Sequence, residues 1–185
     1  HSGVGQRSGT GEHGIVAHNF ARKVEANALI VPEKAAKKLR RILVPVDFSP
    51  NSIEALNAAI GIAKRLEEGV EVICLNVFET PNLSVYKIQR SREELTNMLM
   101  EDRLNAIRSF LDQYPEEDTG FIQTKVVEKD LPGVARYIYD YAMENDFDLV
   151  VIGAKGHSRV ERLLLGSVTE KLLHINEQIP TLVIK

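Results

Sequence analysis

Hydrophobic runs alternate with helix-like segments from residue 41 to residue 185, and this order predicts alternating strands and helices. The run RILVPVD (41–47) is continuous and rich in β-branched residues, which is typical of a strand buried on both faces of a parallel sheet. Further strands are predicted at VEVICLNVF (70–78), FIQTKVVE (121–128), DLVVIG (148–153) and PTLVIK (180–185). Because FIQTKVVE alternates only partly between apolar and polar residues, we expect it at a sheet edge.

Segments with helical periodicity lie between these runs. In residues 49–69 the apolar side chains recur along one helix face, and Gly69 supplies the stop. Other helices are predicted at 91–114, at 130–147 with Asp130 as the N-cap, and from near Ser167 onward. This alternating order predicts an α/β fold with a doubly wound, open, parallel sheet of five strands and right-handed crossovers.

A sheet of this type binds ligands beyond the carboxyl ends of its strands, at the point where the strand order reverses. Asp47 comes at the end of the first predicted strand of this sheet, and Gly153 ends the fourth. If these two strands are neighbours, both residues lie at that point, and the sequence between and after them is where we look for chemistry.

Composition narrows the classes of partner. The net charge of −3 and the pI of about 6.0 argue against nucleic acid as a partner, because that class of binder carries a strong basic field. The single cysteine, Cys74, excludes an internal disulfide and a multi-cysteine zinc site. No apolar run reaches the roughly 18 residues of a membrane helix, and the first residues show no signal-peptide pattern. We therefore expect a soluble, cytoplasmic protein without membrane contact.

The stretch from Asp148 to Thr169 has the pattern of a phosphate site. Gly153 is followed after two residues by Gly156 and after nine more by Gly166-Ser167, at the end of a strand and the start of a helix. Glycines allow a backbone to approach a ligand closely, and the free N–H groups and dipole of a helix N-terminus favour an anion.

Together with ILVPVDFSPNS (42–52), the Gly-x2-Gly-x9-Gly-Ser pattern resembles the nucleotide-binding branch of the universal stress protein family. The resemblance covers residues 41–185 and implies a Rossmann-like sheet that binds ATP or another adenine nucleotide. It also implies the binding residues: Pro45, Val46, Asp47 and Val77 for the nucleoside; Ile152, Gly153, Gly156 and His157 for the ribose and phosphates; and Gly166, Ser167, Val168 and Thr169 for the triphosphate. Mg²⁺ would be held mainly by the phosphates, because the sequence shows no dedicated set of carboxylates.

Several of these residues could have a purely structural role instead of binding a ligand. Asp47 could simply cap the turn or the helix that follows it, Ser167 could be an ordinary N-cap, and Gly166 could be a hinge. Basic side chains of the loop could contact phosphates or only solvate the loop; they are Lys155, His157, Arg159 and Arg162.

Residues 1–32 follow the same order as the end of the chain: a glycine-rich segment, a short helix and an apolar strand next to a proline. Gly5 aligns with Gly153, while His18-Asn19 align with Gly166-Ser167, so the binding motif is degraded in this copy. We interpret 1–32 as the C-terminal remnant of a second, tandem domain, 33–40 as a linker and 41–185 as the complete domain. The strand ALIVP (28–32) is expected to pair with PTLVIK, as in a homodimer or pseudo-dimer through the last strand.

The leading functional hypothesis is an ATP-binding module of stress physiology in which bound triphosphate orders residues 154–166 and changes a neighbouring interface. One alternative is a slow ATP-hydrolysing or adenylyl-transferring enzyme, although no base with an orienting partner accompanies the glycines. A second alternative is an interaction protein that does not need nucleotide and docks through the basic connector 33–41 and the helix at 93–114. We expect binding rather than catalysis.

Overall fold

The computed structural model describes residues 19, 21, 23, 25–33, 35, 38–66, 69–81, 91–129, 133–155 and 165–185. The strands in this part of the chain are β1 (Ala28–Ile30), β2 (Arg41–Pro45), β3 (Glu71–Phe78), β4 (Ile122–Glu128), β5 (Leu149–Gly153) and β6 (Thr181–Ile184). The helices are α1 (Pro50–Arg65), α2 (Arg92–Leu111), α3 (Glu116–Thr119), α4 (Val134–Glu144) and α5 (Ser167–Ile175). From β2 to β6 the described part of the chain thus alternates between strands and helices, except that the short helix α3 directly follows α2.

The strands form one sheet of six strands in the order β1-β6-β5-β2-β3-β4. Strands β2 to β6 run parallel, and β1 pairs antiparallel with β6. The predicted open, mostly parallel α/β sheet is confirmed, and β4 lies at an edge as its partial alternation predicted. Strands β2 and β5 are neighbours although β3 and β4 intervene in sequence, so the strand order reverses between them. The carboxyl ends of β2 and β5 therefore meet where a ligand site is expected.

Each face of the sheet carries its own hydrophobic layer, since successive side chains of a buried strand point to opposite faces. On one face, Leu56 of α1 and Ile107 of α2 pack in one cluster with Cys74 and Val151. On the other face, a second cluster contains Ile138 of α4 and Leu172 of α5, together with the strand residues Leu75, Val150, Ile152 and Val183. The cluster under α4 and α5 extends to the edge of the sheet at which the parallel strands have their carboxyl ends.

Local sequence explains where the helices start. Ser49 is the N-cap of α1 and accepts a hydrogen bond from the Ser52 N–H, while Pro50 occupies the first helical position. The predicted N-cap Asp130 is wrong for α4, because this helix begins at Val134 after Gly133, which has φ 102° and makes no side-chain cap. Only glycine adopts such a backbone readily. Asp130 itself lies outside the described residues.

The predicted pairing of the N-terminal strand is present. Ala28, Leu29 and Ile30 of β1 lie opposite Val183, Leu182 and Thr181 of β6. The Lys185 N–H donates to the Asn27 Oδ1 at 3.0 Å and continues the contact beyond the ladder. The origin of residues 1–32 as a tandem-domain remnant remains a prediction. Among the described residues, no helix is long and apolar enough to cross a membrane.

Candidate functional site

A cavity of about 290 Å³ lies beyond the carboxyl ends of the central strands and is closed on one side by α4 and α5. It contains ten of the twelve residues that the sequence nominated for binding: Pro45, Val46, Asp47, Val77, Ile152, Gly153, Gly166, Ser167, Val168 and Thr169. The other two, Gly156 and His157, lie outside the described residues, as do Arg159 and Arg162. The volume is near the lower bound of ordinary small-molecule pockets.

Five lining residues were not singled out as site residues by the sequence: Ser52, Leu75, Val134, Ile138 and Lys155. The sequence places Val134 and Ile138 on the inward face of their helix, but an inward side chain in the core and one that borders a cavity have the same periodicity. Which of the two applies depends on how closely α4 packs against the sheet. For Lys155 the sequence indicated only that it is one of four basic side chains that could contact phosphates or solvate the loop.

One end of the cavity is apolar. Val77 and Leu75 reach it from β3, Ile152 from β5, and Val134 and Ile138 from α4. Leu75, Ile138 and Ile152 are buried, and Val77 is partly buried against the same cluster. A flat, apolar group would be sandwiched between strand and helix side chains here.

The other end of the cavity is the start of α5. Gly166 is the N-cap with an extended backbone (φ −68°, ψ 153°), and no side chain caps this helix. The N–H of Gly166 donates to the Ala154 carbonyl oxygen at 2.7 Å, which fixes the helix start beside the end of β5. Ser167, Val168 and Thr169 follow as the first helical residues and line the cavity. Helix starts of this kind present backbone donors and positive dipole to an anion.

Ser167 is therefore the first residue of the helix and not its cap, so the structural alternative proposed for it is wrong. Thr169 has a clear structural role, because its hydroxyl donates to the Gly153 carbonyl oxygen at 2.7 Å and its side chain is buried. This bond joins the first turn of α5 to the last residue of β5.

Gly153 is required by packing between a strand and a helix. A Cβ atom at Gly153 would lie 2.6 Å from the carbonyl carbon of Asn51 and 2.7 Å from its oxygen. The absence of a side chain at Gly153 thus permits the close approach of the first turn of α1, and the expectation that this glycine also lets a ligand approach stays a prediction. The close approach brings the start of α1 to the rim of the cavity.

Asp47 stabilises the turn that follows β2 and also lines the cavity, while its binding of a nucleoside stays a prediction. Its Oδ1 accepts hydrogen bonds from the N–H of Ser49 at 3.0 Å and from the Ser49 hydroxyl at 2.5 Å, which stabilises the turn into α1. The helix cap itself is Ser49, and Asp47 is exposed at the cavity. The Ser49 hydroxyl also lies 3.3 Å from the carbonyl oxygen of Lys155, so it links the ends of β2 and β5.

The described residues contain no group of three or more His, Cys, Asp or Glu side chains that could hold a metal ion. Asp47 is the one carboxylate among the described lining residues. A divalent cation at this site would therefore need most of its oxygen ligands from a bound anion or from water.

Comparison with known proteins places these features in a family. A profile of the universal stress protein family matches residues 38–185. The universal stress protein MJ0531 of Methanocaldococcus jannaschii is 33% identical over 147 residues, which cover 79% of this chain and 82% of that protein.

Solved structures agree with the fold. The structure of MJ0577, another M. jannaschii universal stress protein, is similar with a TM-score of 0.61 at 28% identity, covering 79% of this chain and 95% of that one. A universal stress protein from Archaeoglobus fulgidus has a TM-score of 0.56 at 20% identity and covers 92% of this chain but 53% of the other. This last similarity concerns the fold alone.

Proposed function

The chain belongs to the universal stress protein family, and we propose that it binds an adenine nucleotide, ATP foremost, in the cavity beside β5 and α5. In stress response the protein would then act by changing its conformation or its interactions when nucleotide binds, and not by catalysis. The observation that carries the proposal is the composition of the cavity. An apolar slot between Val77 and Ile138 continues into an uncapped helix start at Gly166.

The apolar end suits a purine ring. The flat faces of such a ring gain free energy when they are buried between apolar side chains, and the slot supplies these from β3, β5 and α4. Asp47, exposed at the adjoining end of β2, offers a carboxylate acceptor for ribose hydroxyls or for the edge of the base.

The polar end suits phosphates. The backbone of Ser167 and Val168 at the start of α5 would bind phosphate oxygens, and Lys155, which also lines the cavity, adds a positive charge. Mg²⁺ fits this proposal as an ion carried by the phosphates, because the protein supplies at most the Asp47 carboxylate among the described lining residues.

A conformational role follows from how the two walls are connected. Residues 156–164 lie outside the described part of the chain, but both ends of this segment are anchored: Gly166 to Ala154, and Lys155 to the Ser49 hydroxyl. A triphosphate that contacts Lys155 and the start of α5 would bridge these two anchors. Such a ligand would shift a conformational equilibrium of the protein only to the extent that it binds the two conformations with different affinity.

Pairing of β1 with β6 bears on assembly. Because β1 covers Thr181–Val183, a second copy could use the β6 edge only by displacing β1. We therefore propose that β1 takes the place of a dimer partner. Light scattering should give the monomer mass, and a dimer that persists with β1 in place would contradict this proposal.

Calorimetry and thermal melting with MgATP, MgADP, adenosine and MgGTP test the proposed ligand. At a hundred times its dissociation constant, a specific ligand adds about 2.7 kcal/mol to the free energy of unfolding. MgATP should produce such a shift, and MgGTP a smaller one. No shift with any adenine compound would overturn the proposal.

A variant pair locates the site. Val77→Phe should remove binding of both ATP and adenosine, because the ring would fill the slot that the base needs. Val31→Phe is the matched control, since Val31 is 60% exposed on the segment after β1 and away from the cavity. Incubation of wild-type protein with MgATP over hours, followed by product analysis, separates binding from turnover: rapid release of ADP or AMP would favour the enzyme alternative.

A further inference from the structure

Lys185 lies at the carboxyl end of β6, next to the end of β5 that borders the cavity. Gly153 and Ile184 are register partners, and the Ala154 N–H donates to the Ile184 carbonyl oxygen at 2.6 Å. By the same register Lys185 is level with Ala154, the residue before Lys155. Neither lysine is on α5, yet both flank its start, because the Gly166 N–H is bonded to Ala154.

Three charged groups share this corner of the molecule. Burial lowers the pKa of Lys185, the ammonium group of Lys155 lowers it further, and the carboxylate of Glu25 acts in the opposite direction. Lys185 is thus close enough to Lys155 to be repelled and close enough to Glu25 to be attracted. Lys155 and Lys185 follow neighbouring strands, and Glu25 lies on the segment that leads into β1, the partner strand of β6.

The anion comes from the N-terminal segment. Glu25 lies three residues before the start of β1, and Asn27 between them accepts a hydrogen bond from the Lys185 N–H at 3.0 Å. The segment that adds a strand to the sheet therefore also brings a negative charge within electrostatic range of Lys185.

We propose that Lys185 is a phosphate-binding residue of this site and that Glu25 competes with the phosphates for it, so that polyphosphate binding and the N-terminal segment are coupled. This inference rests on the proposed nucleotide binding. A polyanion between Lys155 and Lys185 relieves their mutual repulsion, whereas Glu25 repels the same polyanion. The N-terminal segment then tunes how strongly the site prefers a triphosphate over a nucleoside.

The test measures the ratio of ATP affinity to adenosine affinity in the wild type and in each variant. A charge at the phosphate end should change the affinity for ATP and leave the affinity for adenosine unchanged. Lys185→Met should lower this ratio by about threefold to tenfold, as expected for one partly exposed charge near several phosphates. Lys185→Arg should retain it. Glu25→Gln should raise it by about twofold to fivefold.

Lys38→Met is the matched control for loss of one positive charge. Lys38 is exposed and precedes β2, so the five residues of this strand, on the order of 16 Å at the rise of a strand, separate it from the cavity at the carboxyl end. At 0.1 M salt such a charge is largely screened. Its ratio should equal that of the wild type.

Coupling between the two residues gives the sharper criterion. If Glu25 acts through Lys185, the effect of Glu25→Gln should shrink in the Lys185→Met background, which a double-mutant cycle measures. An unchanged ratio in Lys185→Met, with ATP still bound, would overturn this inference and leave the proposed function intact. A wild-type protein that binds neither ATP nor adenosine would overturn both.

Discussion

The hydroxyl of Thr169 and the carbonyl oxygen of Gly153 are joined by a 2.7 Å hydrogen bond that fastens the first turn of α5 to the end of β5. The bond is buried and joins the two elements whose ends form the polar wall of the cavity. It makes the geometry of this wall a property of the folded protein before any ligand arrives.

We expect Thr169→Val to lower the free energy of unfolding by about 1–3 kcal/mol, because the isosteric side chain keeps the packing and loses the hydrogen bond. Urea unfolding measures this loss. Thr169→Ser keeps the hydroxyl and should lose less. An unchanged stability of Thr169→Val, with a loss only in Thr169→Ser, would show that the methyl group, and not the hydrogen bond, matters at this position.

Gly153 and Gly61 provide a matched test of what a glycine does. Gly153→Ala should destabilise the protein by about 1–3 kcal/mol, because its Cβ would lie 2.6 Å from the Asn51 backbone. Gly61→Ala should stabilise it by about 0.5–1 kcal/mol, since this glycine lies inside α1 with no atom within 4 Å of the added carbon. Two variants with shifts of the same sign in thermal melting would contradict this interpretation of Gly153.

Gly166→Asp should separate stability from binding. An aspartate at the N-cap of α5 supplies the missing cap and a favourable charge, which should raise stability by a few tenths to about 1 kcal/mol. The same charge should weaken MgATP binding more than tenfold and adenosine binding much less. Gly166→Asn adds a neutral cap of nearly the same shape, and the difference between the two variants should diminish at high salt. An Asp variant that binds MgATP as well as the Asn variant would exclude the helix start as the phosphate site.

Cys74 predicts a loss of stability at alkaline pH. Burial raises the pKa of its thiol from 9.0 to about 12, so the unfolded chain loses this proton at lower pH than the folded one. The stabilisation from keeping this thiol protonated is fully present below pH 9. Between pH 9 and pH 12 the free energy of unfolding declines by about 1.4 kcal/mol per pH unit. Between pH 9 and pH 10.5 the wild type should lose about 2 kcal/mol more than Cys74→Val. Parallel pH profiles of the two proteins would contradict this prediction.

The sequence predicted the sheet because a strand buried on both faces is a continuous apolar run. RILVPVD and DLVVIG are runs of this kind, which is typical of the central strands of a parallel sheet. It also predicted the pairing of ALIVP with PTLVIK, since an isolated short strand needs a partner edge. The glycine spacing located the candidate site, and ten of the nominated residues surround one cavity.

Other features depend on tertiary packing that the sequence does not encode locally. That Gly153 is required by Asn51 follows from the approach of α1 to β5, two elements about a hundred residues apart in sequence. The same applies to Val134 and Ile138, which border a cavity only because of how α4 lies on the sheet. The start of α4 was mispredicted because Asp130 is a good cap in isolation, whereas the positive φ of Gly133 sets the actual start.

The antiparallel strand β1 has a consequence for the order of folding. Its partner β6 lies at the other end of the sequence, so their pairing closes the largest loop in the described sheet and gains only a three-residue ladder. The parallel strands have shorter crossovers and larger buried faces. We expect β1 to dock last during refolding and to open first in native-state exchange, as a separate unit of low stability on a sheet that is already complete without it.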